Sequence, residues 1–299
     1  MNNNLPNFLI VGTAKAATTT IHEYLKQHPK VFMTEWKEPC FFVFKDQQNL
    51  NFKSTKRIVK FITRLEDYKE IFENGKSKEI RGESSTPYLY FYDRTIENIR
   101  NTIPNHKDTK ILIVLRNPVD RAYSQYMMKI RDLEEKLTFN EALDAEEDRM
   151  QNNFHFDFFY KDRGLYSNQV KAYLEEFNNV KVILYEDFKS DTNKILGDIV
   201  DFLNLEKFNF QPINRLNASG KPKNKIISRI LIGDNFIKRS LKPFLTKRLR
   251  NNLLNQIQKK NLKQTKIDNY SKAKLQEFFK SDVKKLETLI DRDLKEWYS

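Results

Sequence analysis

The feature that most constrains the fold is the stretch Asn7–Pro29, which reads NFLIVGTAKAATTTIHEYLKQHP. Its apolar run Phe8–Val11 has the length of a buried strand, and Gly12 follows as a turn residue. Apolar residues then recur at helical spacing from Ile21 to Leu25. The pattern predicts a strand, a tight loop and a helix, which together form one repeating unit of an α/β fold.

The loop of this unit, Gly12–Thr20, has the properties of an anion site. The backbone N–H groups at a helix start have no partner inside the helix and carry the positive end of the helix dipole. Lys15 adds a positive charge, and Thr18–Thr20 add hydroxyls. The loop fits only part of the nucleotide P-loop pattern G-x-x-x-x-G-K-S/T, since Ala17 stands where the second glycine belongs. A phosphate cradle and a plain strand-to-helix turn are both consistent with it.

A second strand-to-helix corner follows the apolar run Ile111–Leu115, which is typical of a strand buried on both faces. Asn117 and Pro118 have the residue types of a helix N-cap and first helical position. In a magnesium-dependent NTPase such a strand commonly ends in Asp. Here it ends in Arg116, and the hydroxyl of Ser124 follows about two turns into the helix. An arginine fork with a hydroxyl favours an additional phosphate over a metal.

Several motifs, taken in order, carry a family resemblance: GTAKAATT, KEPCFF, GESSTPYL, LRNPVDRAYSQY, RGLYSNQVKAYLEEF, VILYEDF and NASGKPKNK. Together they resemble the sulfotransferases that use 3′-phosphoadenosine-5′-phosphosulfate (PAPS), particularly the bacterial and heparan-sulfate-type carbohydrate branch. The resemblance spans nearly the whole chain. It implies an α/β fold of the P-loop-like type, with three α/β/α layers and a central parallel sheet, in a single domain 1–299.

The resemblance also implies how the donor is bound. The first loop is expected to hold the 5′-phosphosulfate, and Arg116 and Ser124 the 3′-phosphate. In NASGKPKNK, Lys221 or Lys223 is expected to reach the 3′-phosphate. The residues assigned to the first loop are Gly12, Thr13, Lys15, Ala16, Ala17, Thr18 and Thr19.

The chemistry requires a base, because an acceptor hydroxyl loses its proton as it attacks sulfur. The matching K-E-x-x-F-F motif of the relatives implies that Glu38 is this base, with Glu35 as the nearest alternative. Pro39 favours an extended backbone at Glu38. Lys15 is expected to neutralise charge on the leaving nucleotide. Cys40 stands where relatives often carry His, and a buried, inert thiol is expected there.

Acceptor contacts are harder to assign from the sequence. Relatives carry a catalytic lysine at the position of Ser85, so either Lys15 bears more of the charge stabilisation in this chain or Ser85 binds the acceptor. His155 lies in the aromatic segment Phe154–Tyr160, which is consistent with either a sugar platform or buried core. Apolar residues from Ile58 to Leu65 recur at helical spacing and predict a covering helix with no catalytic part.

The net charge of +13 is concentrated in one segment. Residues 221–266 contain 14 Lys or Arg and one acidic residue, and the rest of the chain is balanced. This amphipathic basic segment favours contact with a membrane surface that carries a carbohydrate or glycolipid acceptor, and not with nucleic acid. A solvated basic face is the alternative. A final amphipathic helix is predicted over residues 273–297 and should pack on the domain.

The sequence has no apolar run long enough to span a bilayer and no signal-peptide pattern, so a cytoplasmic location is expected, with association to a membrane surface through residues 221–266 as an option. A single cysteine excludes an internal disulfide and a cysteine-built metal site, and no metal is predicted. Two other function classes stay open. One is a P-loop kinase using Mg-ATP, with Asp187 after the strand Val180–Tyr185 as metal ligand. The other is a non-enzymatic anion-binding protein that relies on residues 221–266.

Overall fold

A computed structural model describes residues 4–48, 50–53, 60–213, 220–224, 227–228, 254, 256–257, 260–263 and 265–299. The main strands are β1 Phe8–Gly12, β2 Val31–Met33, β3 Ile80–Ser84, β4 Lys110–Leu115 and β5 Asn179–Leu184. They form a five-stranded sheet in the order β2-β3-β1-β4-β5. Every pairing in it is parallel. The predicted α/β class with a central parallel sheet is confirmed.

Helices cover both faces of this sheet. The helices are α1 Thr18–Leu25, α2 Phe41–Phe44, α3 Leu65–Glu70, α4 Pro87–Tyr90, α5 Tyr92–Arg100, α6 Pro118–Arg131, α7 Phe139–Asp144, α8 Glu146–Gln151, α9 Ser167–Glu176, α10 Tyr185–Ser190, α11 Thr192–Phe202 and α12 Asn269–Ile290. Two short antiparallel strands, β6 Lys221–Pro222 and β7 Leu262–Lys263, form a separate ribbon. Helices α1 and α11 share one apolar cluster, and α2, α5, α6, α9 and α12 share the other. The protein therefore has the three α/β/α layers that the resemblance implied.

The apolar runs of β1 and β4 explain why both faces need cover. Successive side chains of a strand point to opposite faces. Phe8 and Leu112 belong to the cluster under α1, while Leu9 and Ile111 belong to the opposite cluster. All four side chains are fully buried. Continuous apolar runs are expected in such doubly covered parallel strands.

The sequence predicted the start of α6 correctly and the end of the C-terminal helix incorrectly. The side chain of Asn117 caps α6, accepting from the amide of Val119 at 3.0 Å. The last helix was predicted over residues 273–297, but α12 begins at Asn269 and ends at Ile290. Asp291 then adopts a left-handed backbone with φ of 49°, which ends the helix. The side chains of α12 that are buried against the domain are Leu275, Phe279, Val283 and Leu286.

Two further predictions fall partly outside the described residues. Most of the basic segment 221–266 lies outside them, so its amphipathic pattern stays a prediction. The helix predicted from the apolar spacing between Ile58 and Leu65 is not found in the described part of this segment. Phe61 and Ile62 are irregular, and α3 starts only at Leu65. Within the described ranges, no helix combines the length and apolar character that crossing a bilayer requires.

Candidate active site

A cavity of about 1100 Å³ opens at the edge of the sheet where the parallel strands have their carboxyl ends. Its walls come from the segments that follow β1, β2, β3, β4 and β5, from α6, and from residues 60–61 and 155–157. Open α/β sheets bind ligands at this edge. The predicted site residues that line it are Lys15, Ala17, Thr18, Thr19, Glu38, Arg116, Ser124 and His155. The structure therefore brings both strand-to-helix corners and the candidate base into one site.

The loop after β1 closes tightly over the sheet and leaves the start of α1 uncapped. A Cβ on Gly12 would lie 2.5 Å from the Cβ of Leu89, so a side chain does not fit there. Lys15 and Ala17 both adopt left-handed backbones, with φ of 73° and 62°. Ala17 is the N-cap residue of α1, and no side chain caps the helix. The amides of Thr18 and Thr19 therefore have neither an intrahelical partner nor a side-chain cap, whereas the amide of Thr20 donates to the carbonyl of Ala17 at 2.9 Å.

Three residues assigned to the donor loop do not line the cavity. Gly12, Thr13 and Ala16 are buried and shape the loop from behind. The amide of Thr13 donates to the carbonyl of Val114 at 2.6 Å, which ties the loop to β4. These three residues therefore shape the loop through their backbone conformation, and their side chains do not line the cavity.

Arg116 connects the two corners. Its Nη1 donates to the carbonyl of Lys15 at 2.9 Å, and its guanidinium carbon lies 4.7 Å from the centre of the Tyr185 ring. Its Nε is buried and has no hydrogen-bond partner among the described residues. The Tyr166 hydroxyl donates to the Arg116 carbonyl at 3.0 Å. Tyr166 is the tyrosine of the RGLY motif, for which the sequence predicted no role, and it does not line the cavity. This motif thus supports the backbone of Arg116.

Lys15 is the central cation of the cavity. Its Nζ lies 3.4 Å from the Sδ of Met128 on α6. Burial, followed by the positive charges of Arg131 and Arg116, lowers the pKa of Lys15 to about 8. A bound anion would relieve this unfavourable positive charge.

Glu38 lies in the same cavity on a strained turn. Its Oε1 accepts hydrogen bonds from Thr86 Oγ1 at 3.0 Å and from Lys37 Nζ at 3.1 Å. The expected extended backbone is wrong, because Glu38 has a left-handed φ of 59°. Its amide donates to the carbonyl of Ser84 at 3.0 Å, which fixes this turn to the end of β3. Left-handed non-glycine residues of this kind concentrate at functional sites.

A buried polar network lies behind the turn. Ser85 is fully buried and does not line the cavity. Its hydroxyl donates to Glu83 Oε2 at 2.8 Å and accepts from the Cys40 amide at 3.1 Å. The prediction that Ser85 contacts the acceptor is therefore wrong. Its hydroxyl instead bridges Glu83 and the amide of Cys40, which lies two residues after Glu38. Cys40 is buried as predicted, and burial raises the pKa of its thiol.

His155 lines the cavity as an uncharged ring. Its ring stacks on Phe156 with centroids 4.0 Å apart, and its Nδ1 accepts from the amide of Asp157 at 3.2 Å. Burial lowers the pKa of His155 to about 4, so it is neutral at pH 7. Its Nε2 is buried with no partner among the described residues. The remainder of the aromatic segment Phe154–Tyr160 is mostly core.

Sequence reasoning missed several lining residues. The second half of α6 and the loop after it contribute Lys129, Arg131, Asp132 and Glu134. A helical count from Ser124 would have placed part of this set on one face. Lys60 and Phe61 also line the cavity, in a segment that the sequence excluded from the site.

Other candidates lie outside the cavity. Lys221 and Lys223 are exposed and do not line it. Glu35 pairs with Lys26 at 2.7 Å, and its side chain is 85% exposed. Of the two glutamates considered as base, only Glu38 lines the cavity.

The acidic pair after β5 is engaged in contacts that stabilise the fold. Asp187 pairs with Arg292 at 3.0 Å and does not line the cavity. Glu186 accepts from the amide of Asn117 at 3.1 Å, so it supports the start of α6. Across the part of the chain that the structure describes, no three His, Cys, Asp or Glu side chains group as metal ligands. The arrangement gives no support to Asp187 as a kinase metal ligand.

Comparison with known proteins gives consistent matches. A bacterial sulfotransferase from Alicyclobacillus acidocaldarius superposes with a TM-score of 0.74 at 30% identity, covering 98% of this chain and 99% of that one. A membrane-associated sulfotransferase, kil1, from Dictyostelium discoideum is 32% identical over 42% of this chain and 24% of its own length. Mouse heparan sulfate glucosamine 3-O-sulfotransferase 3B1 is 26% identical over 73% of this chain and 54% of its own length.

The chain thus spans about half or less of the length of the curated relatives that it matches. The profile of the sulfotransferase family matches residues 6–209, which is more than half of the chain and includes both corners of the cavity. The chain therefore belongs to the sulfotransferase family.

Proposed function

We propose that the protein transfers a sulfuryl group from PAPS to a hydroxyl of a carbohydrate or glycolipid acceptor, with an amine of such an acceptor as the second candidate. The transfer is in-line and needs no metal. One observation carries this proposal: a single cavity holds the uncapped start of α1 with Lys15, the Arg116 and Ser124 pair, and the carboxylate of Glu38. The names of relatives such as the heparan sulfate 3-O-sulfotransferase support the carbohydrate class.

The residues of the cavity fit an anionic nucleotide donor. The α1 amides and Lys15 suit its 5′ end, and the buried, unpartnered Nε of Arg116 suits the 3′-phosphate. Lys221 and Lys223 remain candidates for a loop that closes over the nucleotide. The donor supplies the sulfuryl group and leaves as adenosine 3′,5′-bisphosphate. Membrane contact by residues 221–266 and a cytoplasmic location are further parts of the proposal.

Glu38 and Lys15 divide the chemistry between them. Glu38 accepts the proton of the acceptor hydroxyl as its oxygen bonds to sulfur. Lys15 stabilises the negative charge that develops on the leaving oxygen as the old sulfur–oxygen bond breaks. Positioning and charge stabilisation are the main requirements of such a transfer, as in phosphoryl transfer.

Calorimetric titration tests the donor class. Adenosine 3′,5′-bisphosphate should bind at micromolar concentration without a metal, and Arg116→Ala should weaken this binding by about 30-fold because charged hydrogen bonds are lost. ATP with Mg²⁺ is titrated beside it. Binding of Mg-ATP with no response to the bisphosphate would refute the sulfotransferase proposal in favour of a kinase.

A second titration tests how Arg116 is positioned. Tyr166→Phe removes the hydroxyl that donates to the Arg116 carbonyl at 3.0 Å. One lost hydrogen bond should weaken bisphosphate binding by about 3- to 10-fold. Tyr173→Phe is the matched control, because it removes a hydroxyl that donates to the Tyr88 carbonyl at 2.8 Å outside the cavity. Equal loss of affinity in both variants would show a general loss of stability instead of a role for Tyr166.

A further inference from the structure

Helix α6 runs along the cavity. It starts next to Arg116, and its lining residues run from Ser124 to Arg131. At 1.5 Å per residue these two positions are roughly 10 Å apart along the axis. The end beyond Lys15 is therefore separate from the proposed 3′-phosphate site. We define the acceptor wall as the lining residues of 36–38, 60–61, 129–134 and 155–157.

The cations of the acceptor wall are almost all neutralised by carboxylates of the same wall. The pairs are Lys37 with Glu38 at 3.1 Å, Lys129 with Glu134 at 2.9 Å, and Arg131 with Asp132 at 2.8 Å. Asp157 also contacts Lys129, at 3.2 Å, and the buried Arg163, at 3.0 Å. Within the described residues, Lys60 is the one cation of this wall that makes no ion pair, and it is exposed.

This balance does not suit an anionic acceptor ring. Recognition of a carboxylate or sulfate requires donors that are not already bound to an acid. Releasing Lys129 from its two carboxylates would leave buried charges without partners, since the Lys129 and Glu134 side chains are each 5% exposed. His155 adds no charge, because it is neutral at pH 7.

The same wall offers an exposed indole. Trp36 lines the cavity, is 41% exposed and lies two residues before Glu38. Phe61 and Phe156, whose ring centroids are 6.5 Å apart, also line the cavity, and Phe156 is 4% exposed. An exposed indole at a cavity is an amphipathic contact surface, suited to the C–H face of a sugar ring. A ring on Trp36 would lie close to Glu38, the proposed base.

We infer that the acceptor wall binds a neutral pyranose, whose apolar face packs on Trp36 and whose hydroxyl faces Glu38. The inference rests on the proposed function and narrows it. A neutral acceptor ring distinguishes this chain from sulfotransferases that act on an anionic acceptor ring.

Matched glycosides test the inference. Octyl hexopyranosides are compared with the octyl hexuronides that differ only by a carboxylate at C6. Binding is measured by calorimetry on the full chain loaded with adenosine 3′,5′-bisphosphate, and sulfation is measured with PAPS. The neutral member should bind at least about tenfold more tightly. Trp36→Ala should weaken its binding by about 3- to 10-fold, and Trp36→Phe should restore most of the loss.

A charge variant gives an independent readout. Glu134→Gln removes one negative charge from the wall and keeps the side-chain shape. Hexuronide binding should improve by about threefold or more relative to binding of the neutral glycoside by the same variant.

Three results would overturn the inference: a hexuronide that binds as well as its neutral partner, no neutral glycoside binding at millimolar concentration, or unchanged binding in Trp36→Ala. If the wild-type chain binds the bisphosphate, each of these defeats only this inference. If it does not bind the bisphosphate, the proposed function itself fails.

Discussion

Glu38→Gln is expected to lower turnover by about 10³-fold while leaving bisphosphate affinity unchanged. Proton transfer by a positioned side chain typically contributes 10²- to 10⁴-fold to rate. The glutamine oxygen can still accept the hydrogen bonds from Thr86 and Lys37, which are 3.0 and 3.1 Å long. The local structure is therefore expected to persist, and only the capacity to take a proton is lost. The rate is measured with PAPS and a sulfated glycoside product, and the affinity by calorimetry.

Glu35→Gln is the matched control for this variant. The Glu35 side chain is 85% exposed and pairs with Lys26 outside the cavity. Its turnover should stay within about threefold of wild type, because a surface ion pair contributes little. A loss in Glu35→Gln comparable with that in Glu38→Gln, or full activity in Glu38→Gln, would contradict the assignment of the base.

Much of the fold could be predicted from the sequence because its signals are local. The apolar runs before Gly12 and Arg116 are strands, since they are buried on both faces. The Asn117 cap and Pro118 start α6 as predicted. The end of α12 was missed because no glycine or proline marks it. Asp291 ends the helix by a left-handed backbone that its residue type does not require.

The cavity was predictable only in part. Lys15, Arg116 and Ser124 followed from the two strand-to-helix corners that the sequence indicates, and Glu38 followed from the resemblance; all four line the cavity. Contacts between distant segments give no such signal. Lys129 meets Asp157 at 3.2 Å across 28 positions of the chain, and nothing local to either residue indicates this pair. The role of Ser85 was misjudged for the same reason, since its partner Cys40 comes from another loop.

Lys15→Met is expected to lower the rate of sulfuryl transfer by about 100- to 1000-fold. Removing one preorganised group that stabilises developing charge costs this much in comparable sites. Lys15 lines the cavity beside the uncapped start of α1, and the charges of Arg116 and Arg131 are close enough to lower its pKa. Single-turnover kinetics with saturating PAPS measure the chemical step. A loss confined to PAPS affinity would contradict a role in that step.

Lys15→Arg separates charge from geometry through the pH profile. With a pKa of about 8, free Lys15 loses its charge as the pH rises, so kcat/KM should fall above about pH 8 in wild type. Arginine keeps its charge throughout this range. The variant should retain a small part of the activity, and the fall above pH 8 should be absent. If kcat/KM falls above pH 8 in the same way in wild type and in Lys15→Arg, the fall reflects the titration of another group.

The same lysine should make the folded protein less stable at neutral pH. Its pKa falls from 10.5 to about 8 on folding, so between these values the unfolded chain binds more protons and stability rises with pH. Below pH 8 the folded state bears the full unfavourable cost of the charge. Lys15 keeps partial access to the cavity, so we discount the linkage value and expect Lys15→Met to raise the free energy of unfolding at pH 7 by about 1 to 2 kcal/mol.

Urea unfolding at pH 7 and pH 10.5 measures this gain, which should shrink at the higher pH, where Lys15 is neutral in the folded state and only half protonated in the unfolded chain. A methionine variant that is both inactive and more stable would show that the charge is retained for the reaction at a cost to folding. Equal or lower stability at pH 7 would instead mean that the ammonium is already well solvated in the folded state. The argument that an anionic donor relieves its positive charge would then lose its basis.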